Sequence, residues 1–102
     1  MIVYRIEHKD TKLGPFTHGG QIPEVINKGL FANTTLMEDI DCIPEVVNLI
    51  QKGALFAFTT EGHARAIVKD WGTLSAHGFV MASYDITPLF IHVDGQVLFF
   101  RE

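Results

Sequence analysis

Few residues in this sequence have the type and spacing to do chemistry. Arg5 follows Tyr4 in the run Val3-Tyr4-Arg5-Ile6-Glu7-His8, Thr59 and Thr60 stand together before Glu61, and Gln96 opens the run Gln96-Val97-Leu98-Phe99-Phe100. Arg5 alternates against Ile2, Tyr4 and Ile6, so its planar guanidinium would suit a phosphate or carboxylate in a cleft, whereas a lone strand arginine is ordinarily solvated. The two threonines offer hydroxyls where a helix would begin, which serves either as a cap for the first N–H groups or as a seat for an anion. Gln96, beside Asp94-Gly95, reads most simply as a solvated amide at a turn. Five histidines, His8, His18, His63, His77 and His92, include no pair four residues apart, and no carboxylate stands at ligand spacing beside a pair. A metal site needs three or four convergent ligands, so none is expected. Cys42, the single cysteine, neighbours Asp41 and no basic residue, which fits an unreactive thiol better than a nucleophile. Phosphate loops of the G-x-G-x-x-G and Gly-Lys-Ser/Thr kinds, the G-x-S-x-G elbow and the H-E-x-x-H pair are missing. No catalytic residue is assigned, and Tyr4, Arg5, Thr59, Thr60 and Gln96 stand as the candidate binding residues.

The elements that must position these groups are legible in the hydrophobic pattern. Ile2 to His8 alternates as a half-buried strand. Lys9 to Gly20 holds Gly14, Pro15, Gly19 and Gly20 and turns the chain in a long loop. Pro23 near a first helical position, with Ile22, Val25 and Ile26, predicts a short helix from Gln21 that Gly29 stops. Glu38, Asp39 and Asp41 then place negative charge before a helix that opens on Pro44, carries Ile43, Val46, Val47 and Ile50, and closes at Lys52 and Gly53. Ala54 to Phe58 is apolar on both faces, as a central strand would be. Ala64, Ile67, Val68 and Trp71 recur at helical spacing, which predicts one helix ending before Gly72. Thr73 to Gly78 reads as a connector, and Phe79 to Ile86 alternates as another strand. The last run, Leu89 to Phe100, is a hairpin around Asp94-Gly95, where a two-residue type I′ turn would set Val93 opposite Gln96 and Ile91 opposite Leu98. The same register puts Phe90 opposite Phe99, apolar on both faces. The expected architecture is α+β: a twisted, mainly antiparallel sheet with three short helices and a C-terminal β-hairpin.

In these stretches the chain resembles the mono-ADP-ribosyltransferase fold. That fold presents Arg or His to NAD from a first strand, ends a second strand in a Ser/Thr-rich motif that runs into a helix, and carries its catalytic Glu on a late strand. The matching positions are Arg5 in VYRIEH, Thr59 and Thr60 in LFAFTTEGHARAIVKDW, and Gln96 in QVLFF. The resemblance implies an NAD or nucleotide site lined by Arg5, Thr59 or Thr60, and Gln96, with Tyr4, Tyr84 or Trp71 to stack on a ring. It departs where Gln96 stands in place of the carboxylate, so the implied protein is an active or a degenerate transferase. The opening VYRIEHKDTKLGPF, the central helix ending in Trp71 and the final QVLFF also look like small bacteriophage-encoded proteins with a Tyr-Arg-x-Glu-His stretch and a Gly-Pro-aromatic turn. That likeness implies a host-directed accessory role in the host cytosol, exerted by occupying the surface of a host protein such as a defence component.

Composition narrows the choice. The 102 residues suffice for one domain, 1–102, and with 47% hydrophobic and 20% charged residues the chain carries enough apolar surface to fold alone. A formal charge of −4 disfavours binding to a phosphate backbone, and Arg65 with Lys69 makes only a solvated helix face. One cysteine excludes an intrachain disulfide and fits a reducing cytoplasm. No apolar run has the ~18 residues of a membrane span, and the alternating N-terminus does not read as a signal peptide. The leading expectation is a non-enzymatic module that binds and inhibits or modulates a host macromolecule through exposed apolar surface on Phe90, Phe99 and Phe100, with no cofactor. NAD binding is the alternative, and a homodimer through the hairpin or the edge strand is compatible with either.

Overall fold

Residues 1–12, 40, 42–68 and 70–101 are described by a computed structural model. Strand β1 spans Ile2–His8, helix α1 Pro44–Gln51, β2 Leu55–Phe58, helix α2 Glu61–Ala66, helix α3 Trp71–Ala76, β3 Phe79–Asp85, β4 Phe90–Ile91 and β5 Gln96–Phe99. The five strands form one sheet in the order β3-β1-β2-β5-β4, and every pairing in it is antiparallel. With three helices described and a hairpin at β4–β5, the α+β architecture is the one expected. The helix expected from Gln21 to Gly29 and the acidic residues Glu38, Asp39 and Asp41 lie outside the described residues.

β1 runs through the sheet interior, paired with β3 from Ile2↔Asp85 to His8↔Phe79 and with β2 at Tyr4↔Phe58. Its alternation does not divide into a wet and a dry face: Val3, Arg5 and Glu7 are buried, and so is Ile6 on the other side. All three described helices pack on the Tyr4–Ile6 face. There Ile6, Phe58 and Phe79 meet Ala64, Ile67, Val68 and Leu74 from the segment of α2 and α3, while Leu98, Phe56 and Phe90 meet Val46 of α1 and Ile40. The opposite face holds a second cluster, Val3, Ala57, Val97 and Phe99, with Tyr84 and Ile86 against it.

Two local readings are corrected. The stripe from Ala64 to Trp71 is not one helix. Thr60 caps α2, its hydroxyl accepting from the His63 N–H at 3.2 Å, and Asp70 caps α3, its carboxylate accepting from the Thr73 N–H at 3.1 Å and hydroxyl at 2.7 Å. A second side-chain cap within ten residues restarts the chain, so Trp71 opens α3 and Gly72 lies inside it. The same two bonds from Thr73 hold the Asp70 carboxyl below its usual range.

The hairpin turn is also different. Phe90 faces Leu98 and Ile91 faces Val97, one residue away from the expected register. Type I′ needs positive φ at both central residues, but among the described non-glycine residues only Lys12 has it, and in this loop only Gly95 does, at +96°. The His92 carbonyl accepts from the Gly95 N–H at 3.0 Å, and the Gln96 carbonyl accepts from the His92 N–H at 2.8 Å. The loop is therefore the three residues Val93, Asp94 and Gly95, with the glycine as a bulge. The slip moves each side chain of the first arm to the other face relative to the second. Phe90 packs on the α1 side, Phe99 is fully buried on the other, and of the three phenylalanines expected at the surface only Phe100 stays exposed, at 41%.

Candidate functional site

The densest polar cluster in the described structure lies on the sheet face that no described helix covers. Strand alternation places Arg5 and Glu7 on that face with Val3, and Arg101 follows Val97 and Phe99 at the same parity beyond β5. Glu7 is 1% exposed and Arg5 7%. The Glu7 carboxylate accepts hydrogen bonds from the Tyr84 hydroxyl, from Nη2 of Arg101 and, at 3.3 Å, from Nε of Arg5. Nη1 of Arg5 donates to the Phe56 carbonyl at 2.8 Å. Nη2 of Arg101 also donates to the Tyr84 oxygen at 3.1 Å and to the Lys12 carbonyl at 3.4 Å, and the guanidinium lies 5.3 Å from the centre of the Tyr84 ring.

Burial, partly offset by Glu7, pulls the Arg5 guanidinium below its ordinary range, which still leaves it a cation at neutral pH. Burial, reinforced by the hydrogen bond to Glu7, pushes the Tyr84 phenol up, so it is a neutral donor. Two guanidinium cations thus share one carboxylate, and one positive charge is left over. Such a cluster can hold, orient and neutralise an anion. As a proton-transfer device it is poorly suited, since its only carboxylate is fully paired and sealed from solvent.

Beside the cluster a cleft of about 590 Å³ opens between the end of β3 and the chain after β5. Its lining mixes the polar Lys12, Tyr84, Asp85 and Arg101 with the apolar Ile86, Leu89 and Phe100. Lys12 sits there in a left-handed backbone conformation, φ +62°, that residues with a Cβ seldom adopt.

The five residues singled out from sequence do not share this place. Tyr4, Phe58 and Gln96 form one lateral row across β1, β2 and β5 on the helix-bearing face, half-buried or buried. Thr59 adjoins the end of that row, its N–H donating to the Gly95 carbonyl at 2.9 Å. Thr60 is spent on the α2 cap. Gln96 is 2% exposed, with its amide Nε2 donating to Asp94 at 2.7 Å, so it is not the solvated amide expected. Arg5 projects from the other face of the sheet, separated from the other four by the sheet itself. Sequence reasoning passed over Glu7 and Arg101, and it offered Tyr84 only as a ring to stack on, where the structure uses its hydroxyl on Glu7. One signal was available: Glu7 shares the parity of Val3 and Arg5, and a run that is apolar on both sides must pair its charges.

Among the described residues, no group of three or more His, Cys, Asp or Glu side chains is placed to hold a metal ion, and no helix is long and apolar enough to cross a membrane. Comparison with protein-family models, with curated proteins and with solved structures finds no match.

Proposed function

We propose that this chain is a binding module without covalent chemistry of its own, which inhibits or modulates a host protein by docking against it with the β4–β5 hairpin. The observation that carries the reading is the outer side of that hairpin. Val93 at its tip is 95% exposed, and Ile91 on the edge strand β4 and Leu89 before it are exposed as well. Apolar side chains gathered at a sheet edge and loop tip are the kind of surface that association removes from water. The polar groups support the same reading, because among the described residues no buried side-chain nitrogen or oxygen lacks a hydrogen-bond partner, as expected of groups committed to holding the fold. An NAD site of transferase type would instead draw Arg5 and Gln96 into one cleft, and they stand on opposite faces. The host cytosol is the setting we propose, supported by the single cysteine.

The test compares the tagged protein with a variant carrying Ile91→Asp and Val93→Asp, two exposed positions whose change leaves the core intact. A host protein recovered by the parent and lost by the variant is the expected result. Recovery of the same partner by both would overturn the docking surface. Heat released on titration with NAD or ADP-ribose would overturn the reading as a whole.

A further inference from the structure

We infer that the cleft between β3 and the chain after β5 is a binding site for a small organic anion: a carboxylate carried on an apolar or aromatic body. This site shares Leu89 with the exposed side of the hairpin, but it does not depend on a protein partner.

Three features converge on it. First, the cluster beneath the cleft carries surplus positive charge, since Arg5 and Arg101 share the single carboxylate of Glu7. Asp85, the acidic residue that borders the cleft, is already engaged, 3.1 Å from the Met1 ammonium. Second, donors remain for a ligand. Every hydrogen bond of Arg101 runs from Nη2, which leaves Nε and Nη1 without an acceptor among the described residues, on a side chain that is 30% exposed. The Lys12 ammonium also has no hydrogen-bond or ion-pair partner there, and Lys12, which lines the cleft, holds a backbone conformation that residues with a Cβ seldom adopt. Strain at a residue that bears a charge with no partner is the pattern that binding sites store. Third, part of the lining is apolar: Ile86, Leu89 and Phe100 border the cleft, the last two exposed.

Charge and hydrocarbon in one lining select a ligand with both. A bare inorganic anion would gain nothing from Phe100 and Leu89, and a neutral hydrocarbon would leave the donors unmatched. A carboxylate accepting from Arg101 and Lys12, its body lying on Phe100, satisfies both parts of the lining. The cleft volume is that of sites which take molecules of this size.

The experiment is an NMR titration of the amide-labelled protein with 3-phenylpropionate, with 3-phenylpropionamide and acetate as companions. The acid is expected to shift the amides of Lys12, Tyr84 to Leu89 and Phe100 to Arg101, and to bind about tenfold more tightly than the amide, the worth of one charge-assisted contact. Acetate is expected to bind more weakly still. Added salt should weaken the acid and leave the amide unchanged. Lys12→Gln removes a charge that has no partner among the described residues, so the variant is expected to stay folded, with a severalfold loss for the acid alone. Equal binding of acid and amide, shifts that map elsewhere, no saturable shift at all, or an unchanged affinity in Lys12→Gln would each overturn the assignment.

Discussion

Glu7 is the residue whose loss should be felt most. Among the described residues its carboxylate is the only anion paired with the buried Arg5 guanidinium, so Glu7→Gln keeps the shape and removes the charge that makes the burial tolerable. Breaking a buried pair from one side destabilises by about 3–5 kcal/mol, and a drop of that order in denaturant-unfolding free energy is expected. The replacement of Val93 at the hairpin tip by Asp, measured the same way, should change it by less than about 0.5 kcal/mol. Tyr84 gives the pH signature. Its phenol is raised in the folded state, so its contribution to stability is complete below the ordinary tyrosine range and is lost as pH rises through the folded value. Spectrophotometric titration of the parent should therefore show a late phenolate component that is missing in Tyr84→Phe. This cluster was half legible in the sequence. Arg5 stood out as a charge in an apolar strand, but nothing local says that residues 84 and 101 come to meet it, because the pairing Val3↔Tyr84 joins positions 81 apart.

At the level of elements, the strands were readable because their alternation and β-branched content are local properties, whereas boundaries set by side-chain caps and by loop geometry were not. Asp70 looked like the polar face of a helix, yet its carboxylate restarts the helix at Trp71. Asp94-Gly95 marked the hairpin correctly and misstated its loop, because the Asp94 carboxylate accepts from the Gln96 N–H at 3.0 Å and holds the turn in a form where only the glycine needs positive φ. Gly95→Ala is the direct check. A Cβ there would stand 3.0 Å from the Thr59 hydroxyl, in a backbone conformation that disfavours it by about 1–2 kcal/mol. Thermal unfolding should show a loss larger than that strain, because the Thr59 hydroxyl must also give way, while Gly53→Ala, also at positive φ but with open space around it, should show the strain alone.

For the whole molecule, the question is what the exposed apolar residues meet. The hairpin edge, β4, is two residues long, so it offers a second copy of the chain very little ladder, whereas the other edge strand, β3, spans seven residues, and a lasting dimer needs roughly 1,000 Å² of buried surface. Sedimentation velocity at tens of micromolar should show no dimer that the Ile91→Asp, Val93→Asp variant abolishes. A dimer lost in that variant would reassign the hairpin from a foreign partner to self-association. The order of the strands has a different consequence, for how the chain acquires its shape. β1 lies between β2 and β3, and β3 begins more than seventy residues further along the chain. Until that distant segment arrives, the N-terminal strand has at most one flank covered, and its arginine and glutamate remain without the tyrosine and second arginine that complete their set. Closing so long a loop comes late and is slow, so the strand from Ile2 to His8 gains both of its neighbours only once residues 79 to 85 have been made and docked.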